Sequence, residues 1–73
     1  MDWSKCDIVE TVPGKVSGVP ILKGTRVPAD AVIDNYESGE SVEEIAFNFD
    51  LKPEDVRKLL AYASAREFAT QAS

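Results

Sequence analysis

Apolar residues first come in short clusters closed by Pro-Gly or Lys-Gly, and then recur every three to four positions, so a β-like front gives way to a helical back. Residues 7–12, Asp-Ile-Val-Glu-Thr-Val, hold four β-formers out of six and stop at Pro13-Gly14, which predicts a short strand ending in a turn. Val19-Pro20-Ile21-Leu22 and Thr25-Arg26-Val27 flank Lys23-Gly24, where glycine accepts a positive φ, and this predicts a small hairpin. Pro20 keeps its first arm away from any sheet centre. The stretch from Gly18 to Gly24 is no phosphate loop: five residues separate the glycines where that motif needs about four, and Lys23 precedes the second glycine instead of following it.

From Pro28 the period becomes helical. Ala29, Val32, Ile33 and Tyr36 lie at i, i+3, i+4 and i+7, and Gly39 stands where a left-handed C-terminal cap belongs. Ser41 with Glu44 three positions later predicts a capping box, and Val42, Ile45, Ala46 and Phe49 repeat the apolar spacing. Asp50-Leu51-Lys52 makes a turn, and Pro53 suits a first helical position because its missing N–H would go unpaired there anyway. Val56, Leu59, Leu60 and Ala63 form the inward stripe of a third helix. The fold class is therefore mainly α with a small N-terminal β part, a hairpin followed by a three-helix, helix-turn-helix-like unit.

At 73 residues, this reads as one domain: a β arm over 1–28, a tri-helical unit over 29–63 and a helical extension over 64–73. A core this small yields roughly 3–5 kcal/mol, so a homodimer or a tight protein partner is an expected source of further stability. The longest apolar run is Ala31 to Ile33, too short to span a membrane, and the chain reads as cytoplasmic. Cys6 is the single cysteine and there is no histidine, which removes internal disulfides, Cys/His zinc sites and His-dependent catalysis. No catalytic residue, metal ligand, cofactor or small-molecule site is predicted.

Charge decides between the remaining classes of partner. The net charge is −5 at pI near 4.5. Residues 37–55 set Lys52 alone against seven carboxylates. If the third helix were a recognition helix, Arg57 and Lys58 would be its nucleic-acid contacts, yet nucleic-acid affinity rests on cations that displace phosphate counterions. So acidic a domain is a poor DNA binder by itself. The plainer account of Glu43, Glu44, Glu54 and Asp55 is that they lie in first helical turns and complement the positive dipole end.

Trp3, Ile8-Val9, the segment Val19-Pro20-Ile21-Leu22-Lys23-Gly24-Thr25-Arg26-Val27-Pro28, then Gly39-Glu40-Ser41-Val42-Glu43-Glu44-Ile45 and Leu51-Lys52-Pro53-Glu54-Asp55-Val56 through Ala61-Tyr62-Ala63 together resemble the DUF433 family. The resemblance covers about residues 3–63. It implies an antitoxin-like protein with a β-containing arm and a homeodomain-like helical unit, paired with a PIN-like ribonuclease toxin and sharing in repression of its own operon. Two departures stand out: Ser17-Gly18-Val19 before Pro20, and Lys52 where the family places Ser or Thr to cap the third helix. The second departure weakens that helix start by about 1 kcal/mol.

Two partner surfaces are predicted. The first is the turn Lys23, Gly24, Thr25 and Arg26. In one reading Arg26 offers its planar fork of donors to carboxylates in a toxin's metal-binding cleft. In the other, which is favoured, it ties the hairpin to Asp30, Asp34 or a helix end of its own domain while Thr25 satisfies local backbone. The second surface is a narrow seam of Ala61, Ala65, Phe68 and Ala72 on the third helix, opposite Val56, which suits a docking helix or a second subunit. Its plainer account is a solvated helix end whose alanines serve as helix formers.

Overall fold

The computed structural model describes residues 2–72, with side chains described from Asp2 through Ala65. A two-stranded antiparallel hairpin is followed by three helices, and the molecule is mainly helical. The strands are β1 (Val9–Glu10) and β2 (Ile21–Leu22), in register Val9 to Leu22 and Glu10 to Ile21. The helices are α1 (Ala29–Glu37), α2 (Val42–Phe49) and α3 (Pro53–Ala72).

The front differs in detail from the sequence reading. The strand expected over 7–12 contracts to Val9–Glu10, and the partner of Ile21-Leu22 is β1 instead of residues 25–27. The chain does reverse at Lys23-Gly24: Thr25 N–H donates to Leu22 O (3.1 Å) and Leu22 N–H to Val27 O (3.0 Å). Only one isolated bridge, Ile21 to Pro28, forms on that side. Pro28 cannot donate to a ladder and α1 starts at once, so pairing stops there. The connection from β1 to β2 carries a one-turn segment, Val16–Gly18, in which Val16 and Ser17 have φ of 49° and 57°. A β-branched residue in that region is strained.

The helices follow their caps closely. Gly39, at φ 106°, ends α1 by donating to Tyr36 O (3.0 Å) while Glu40 N–H donates to Asn35 O (3.2 Å). These are the two bonds of a Schellman cap, which needs a residue that tolerates positive φ. Ser41 and Glu44 form the reciprocal capping box, each side chain accepting from the other's backbone N–H at 3.1 Å. At the end of α2 the left-handed position falls to Asp50, with φ 56°, and Leu51 N–H donates to Ala46 O (2.8 Å). Asp is among the few non-glycine residues that enter this region readily.

The core gathers Ala29 and Val32 from α1, Ile45 and Ala46 from α2, Val56, Leu59 and Ala63 from α3, and Val9 and Leu22 from the strands. Ile33, Phe49 and Leu60 pack partly buried against it, while Tyr36, the last residue of the α1 stripe, is 49% exposed. Trp3, 3% exposed, closes the core from the N-terminal arm. Its indole stacks on Tyr62 of α3 with centroids 5.2 Å apart, and its Nε1 donates to Asp30 of α1 at 2.9 Å. Tyr62 in turn donates its hydroxyl to Asp2 O at 2.7 Å. One aromatic side chain thus fastens the arm to two helices. Among the described residues no buried side chain is polar or charged, and no helix is long and apolar enough to cross a membrane.

Candidate functional site

The turn at residues 22–25 is built to be rigid. Gly24 takes φ 75°, a left-handed value open to glycine without penalty. Thr25 Oγ1 donates to Leu22 O (2.8 Å) and accepts from Val27 N–H (3.1 Å), so one hydroxyl closes both sides of the reversal. Glu10 of β1 accepts from Gly24 N–H (3.4 Å), and Lys23 N–H donates to Ile8 O (2.9 Å). The role expected of Thr25, satisfying local backbone, is what the geometry displays.

Arg26 does not behave as the favoured reading expected. It is exposed and among the described residues has neither hydrogen bond nor ion pair. Asp30, one of its expected partners, accepts from Trp3 instead. The reason is geometric: Trp3, distant in sequence, reaches α1 from the arm, a placement that local spacing cannot reveal. Lys23 is likewise exposed. The turn therefore presents two outward cations on a frame held by β1 and β2.

The seam on α3 is only partly within view. Ala61 and Ala65 are exposed, as expected of a face opposite the buried Val56, whereas the side chain of Phe68 lies outside the described residues. Ala61 borders a groove of about 400 Å³ between α1 and α3, floored by Ile33, Leu60 and Ala63 and edged by Tyr36, Glu37 and Ser64. The turn's bonds run to β1 and β2 while Ala61 sits among α1 and α3 residues, so the two predicted surfaces are built by different parts of the fold.

Of the predicted nucleic-acid contacts, Arg57 is engaged. Its Nη2 lies 3.0 Å from Glu43 Oε2, an ion pair whose side chains are 60% and 68% exposed. Such a pair contributes about 0–1 kcal/mol to stability, but it places a carboxylate against the guanidinium. Lys58 is exposed and borders a depression of about 310 Å³ with Lys5, Cys6, Asp7 and Tyr62, so the arm lies along that side of α3. At the start of α2 the Ser41 backbone N–H and then its hydroxyl hold the Glu44 carboxyl below its ordinary range. Among the described residues no group of three or more His, Cys, Asp or Glu is placed to hold a metal ion.

The sequence reading missed two features. The Trp3–Asp30 bond spans 27 positions and has no local signal. Phe47, 86% exposed, was legible: it falls outside the Val42, Ile45, Ala46, Phe49 stripe of α2, so the same periodicity that buries those residues turns Phe47 outward.

A family model described as a protein of unknown function, DUF433, matches residues 9–63, from the start of β1 to the buried Ala63 of α3. The chain belongs to the DUF433 family. Its fold is similar to the crystal structure of a DUF433 member protein from Anabaena variabilis ATCC 29413, with a TM-score of 0.68 and 19% identity over 92% of this chain and 67% of that one. At that identity the likeness concerns the fold. No curated protein matches this chain. The matched DUF433 segment contains the turn, Arg57, Lys58 and Ala61; Trp3, Ala65 and Phe68 lie outside it.

Proposed function

We propose that this DUF433 protein is a non-enzymatic, antitoxin-like binding module of the cytoplasm. It associates with a PIN-like ribonuclease toxin and shares in repression of its own operon. The observation that supports this most is Arg26, an exposed guanidinium without an intramolecular partner, next to a turn fixed by Thr25, Gly24 and Glu10. An arginine that tied the hairpin to its own domain would meet a carboxylate of that domain. One held outward on a rigid frame is ready to make bidentate bonds to a partner's carboxylates, with little backbone freedom left to lose. In a ribonuclease whose carboxylates hold metal ions, it would occupy the cations' place. A homodimer through the Ala61, Ala65 and Phe68 side of α3 accompanies this reading.

The test is co-expression with a PIN-like ribonuclease, sought in the reading frames that flank this chain's own. The wild-type chain is expected to suppress RNA cleavage, and Arg26→Ala to keep its circular dichroism and melting temperature yet lose suppression. Full suppression by Arg26→Ala overturns the role of the turn.

The second reading is an autonomous helix-turn-helix DNA-binding regulator, favoured by the three-residue connection Asp50-Leu51-Lys52 between α2 and α3. It would use Arg57 and Lys58. Glu43 opposite Arg57, and the acidic α2 beside it, weigh against this. Operator binding that needs no partner and weakens steeply with salt would favour it.

A further inference from the structure

We infer that the outer face of α2, centred on Phe47, docks a basic polypeptide segment that carries apolar residues between its cations. This surface is separate from the Arg26 turn, and the inference does not rest on the ribonuclease reading. Phe47 is 86% exposed on a helix whose other aromatic, Phe49, packs against the core. Nothing in its own helix calls for it: a solvent-facing phenylalanine is a poorer helix former than alanine and leaves apolar surface in water.

The charge around it names the occupant. Along the chain from Ala29 to Leu51 stand Asp30, Asp34, Glu37, Glu40, Glu43, Glu44 and Asp50, with no lysine or arginine at all. Glu43, Glu44 and Asp50 fall four and three positions before and three after Phe47, which puts them on its side of α2. All three are exposed, and Arg57, reaching from α3 to Glu43, is the one cation that meets them among the described residues.

Fold stability accounts for only part of this pattern. Glu43 and Glu44 suit the positive end of α2 and Asp50 suits the left-handed position that ends it, but Asp34 and Glu37 extend the acidic stretch into the last turn of α1, where the helix dipole favours cations; neither helix has a basic residue in its last turn. Exposed carboxylates flanking an aromatic left in solvent fit a partner that supplies cations and an apolar cover. A second copy of this chain, with the same acidic face and a net charge of −5, does not supply them.

The test places 4-fluorophenylalanine at position 47 of the full chain and follows its fluorine resonance. The probes are an amphipathic helical peptide of leucine and lysine and a matched peptide of leucine and glutamate. The basic peptide is expected to shift the resonance saturably, and in calorimetric titration Phe47→Ala is expected to weaken its binding at least tenfold with circular dichroism and melting temperature unchanged. Equal binding of the glutamate peptide, or undiminished binding by Phe47→Ala, overturns the inference. A resonance that moves with protein concentration alone overturns it too, by assigning the face to a second copy. Arg26→Ala, which tests the ribonuclease reading, leaves these measurements unchanged.

Discussion

The arm before α1 and the helical unit behind it are held together by different physics. The helices are joined by apolar stripes that repeat every three to four residues and are stopped by local caps. The arm also buries Trp3, Val9, Ile21 and Leu22, but through two-residue strands and a strained left-handed turn with no repeating stripe, and its side-chain ties to the helices are few: Trp3 to Asp30 and Tyr62 to Asp2. Redundant packing tolerates the loss of one partner better than a few point attachments do. The arm is also where the free cations of the turn sit, while the acidic residues gather on α1 and α2. The contrast teaches that the less regular half leaves Lys23 and Arg26 exposed because its turn is fixed by backbone and Thr25 hydroxyl bonds that need neither cation.

The sharpest way to break this contrast is to remove Trp3. Trp3→Ala is expected to destabilise the domain by about 3–5 kcal/mol and Leu59→Ala, in the centre of the helical core, by about 2–5 kcal/mol, both read from urea unfolding. An unchanged midpoint for Trp3→Ala would reduce the arm to an appendage. A finer cut is Trp3→Phe, which keeps an aromatic ring against Tyr62 but deletes the donor to Asp30. It should cost about 1 kcal/mol, and little in an Asp30→Ala background.

The helical unit has its own weak point, which sharpens the comparison from the other side. Lys52 precedes Pro53 with no short side-chain oxygen to accept from the first turn of α3. Lys52→Ser should add about 1 kcal/mol, visible as a rise in melting temperature, whereas Ser41→Ala should remove about as much by opening the capping box. The smallest effect concerns pH. Because Ser41 lowers the Glu44 pKa in the folded state, the native chain binds fewer protons than the unfolded one in the carboxylate range. The Glu44 contribution is therefore complete above the unfolded-state pKa and is lost as pH falls through the lower folded-state value. Carbon-detected titration of the Glu44 carboxyl should show the low midpoint, and Ser41→Ala should raise it.

Much of the helical unit was readable residue by residue. Ala29 with Val32, Ile45 with Ala46, and Val56, Leu59 and Ala63 are buried as their spacing requires, and Gly39, Ser41 and Pro53 mark ends where they were expected. These signals are local, because a helix bonds to itself within four residues and its cap lies within reach of its own backbone. Of the candidate site, the reversal at Lys23-Gly24 and the hydroxyl role of Thr25 were legible for the same reason.

The partner strand of Ile21-Leu22, the freedom of Arg26 and the capture of Asp30 by Trp3 were not. Each depends on which distant segment the folded chain places beside a shared group, and chain spacing is silent on that. What the sequence determined here is helix placement, inward faces and the acidic stretch from Asp30 to Asp50, since these follow from period and composition. Tertiary structure alone decided that the arm crosses from α3 to α1 and leaves Arg26 unclaimed, because hydrogen bonds between remote residues are chosen by three-dimensional proximity.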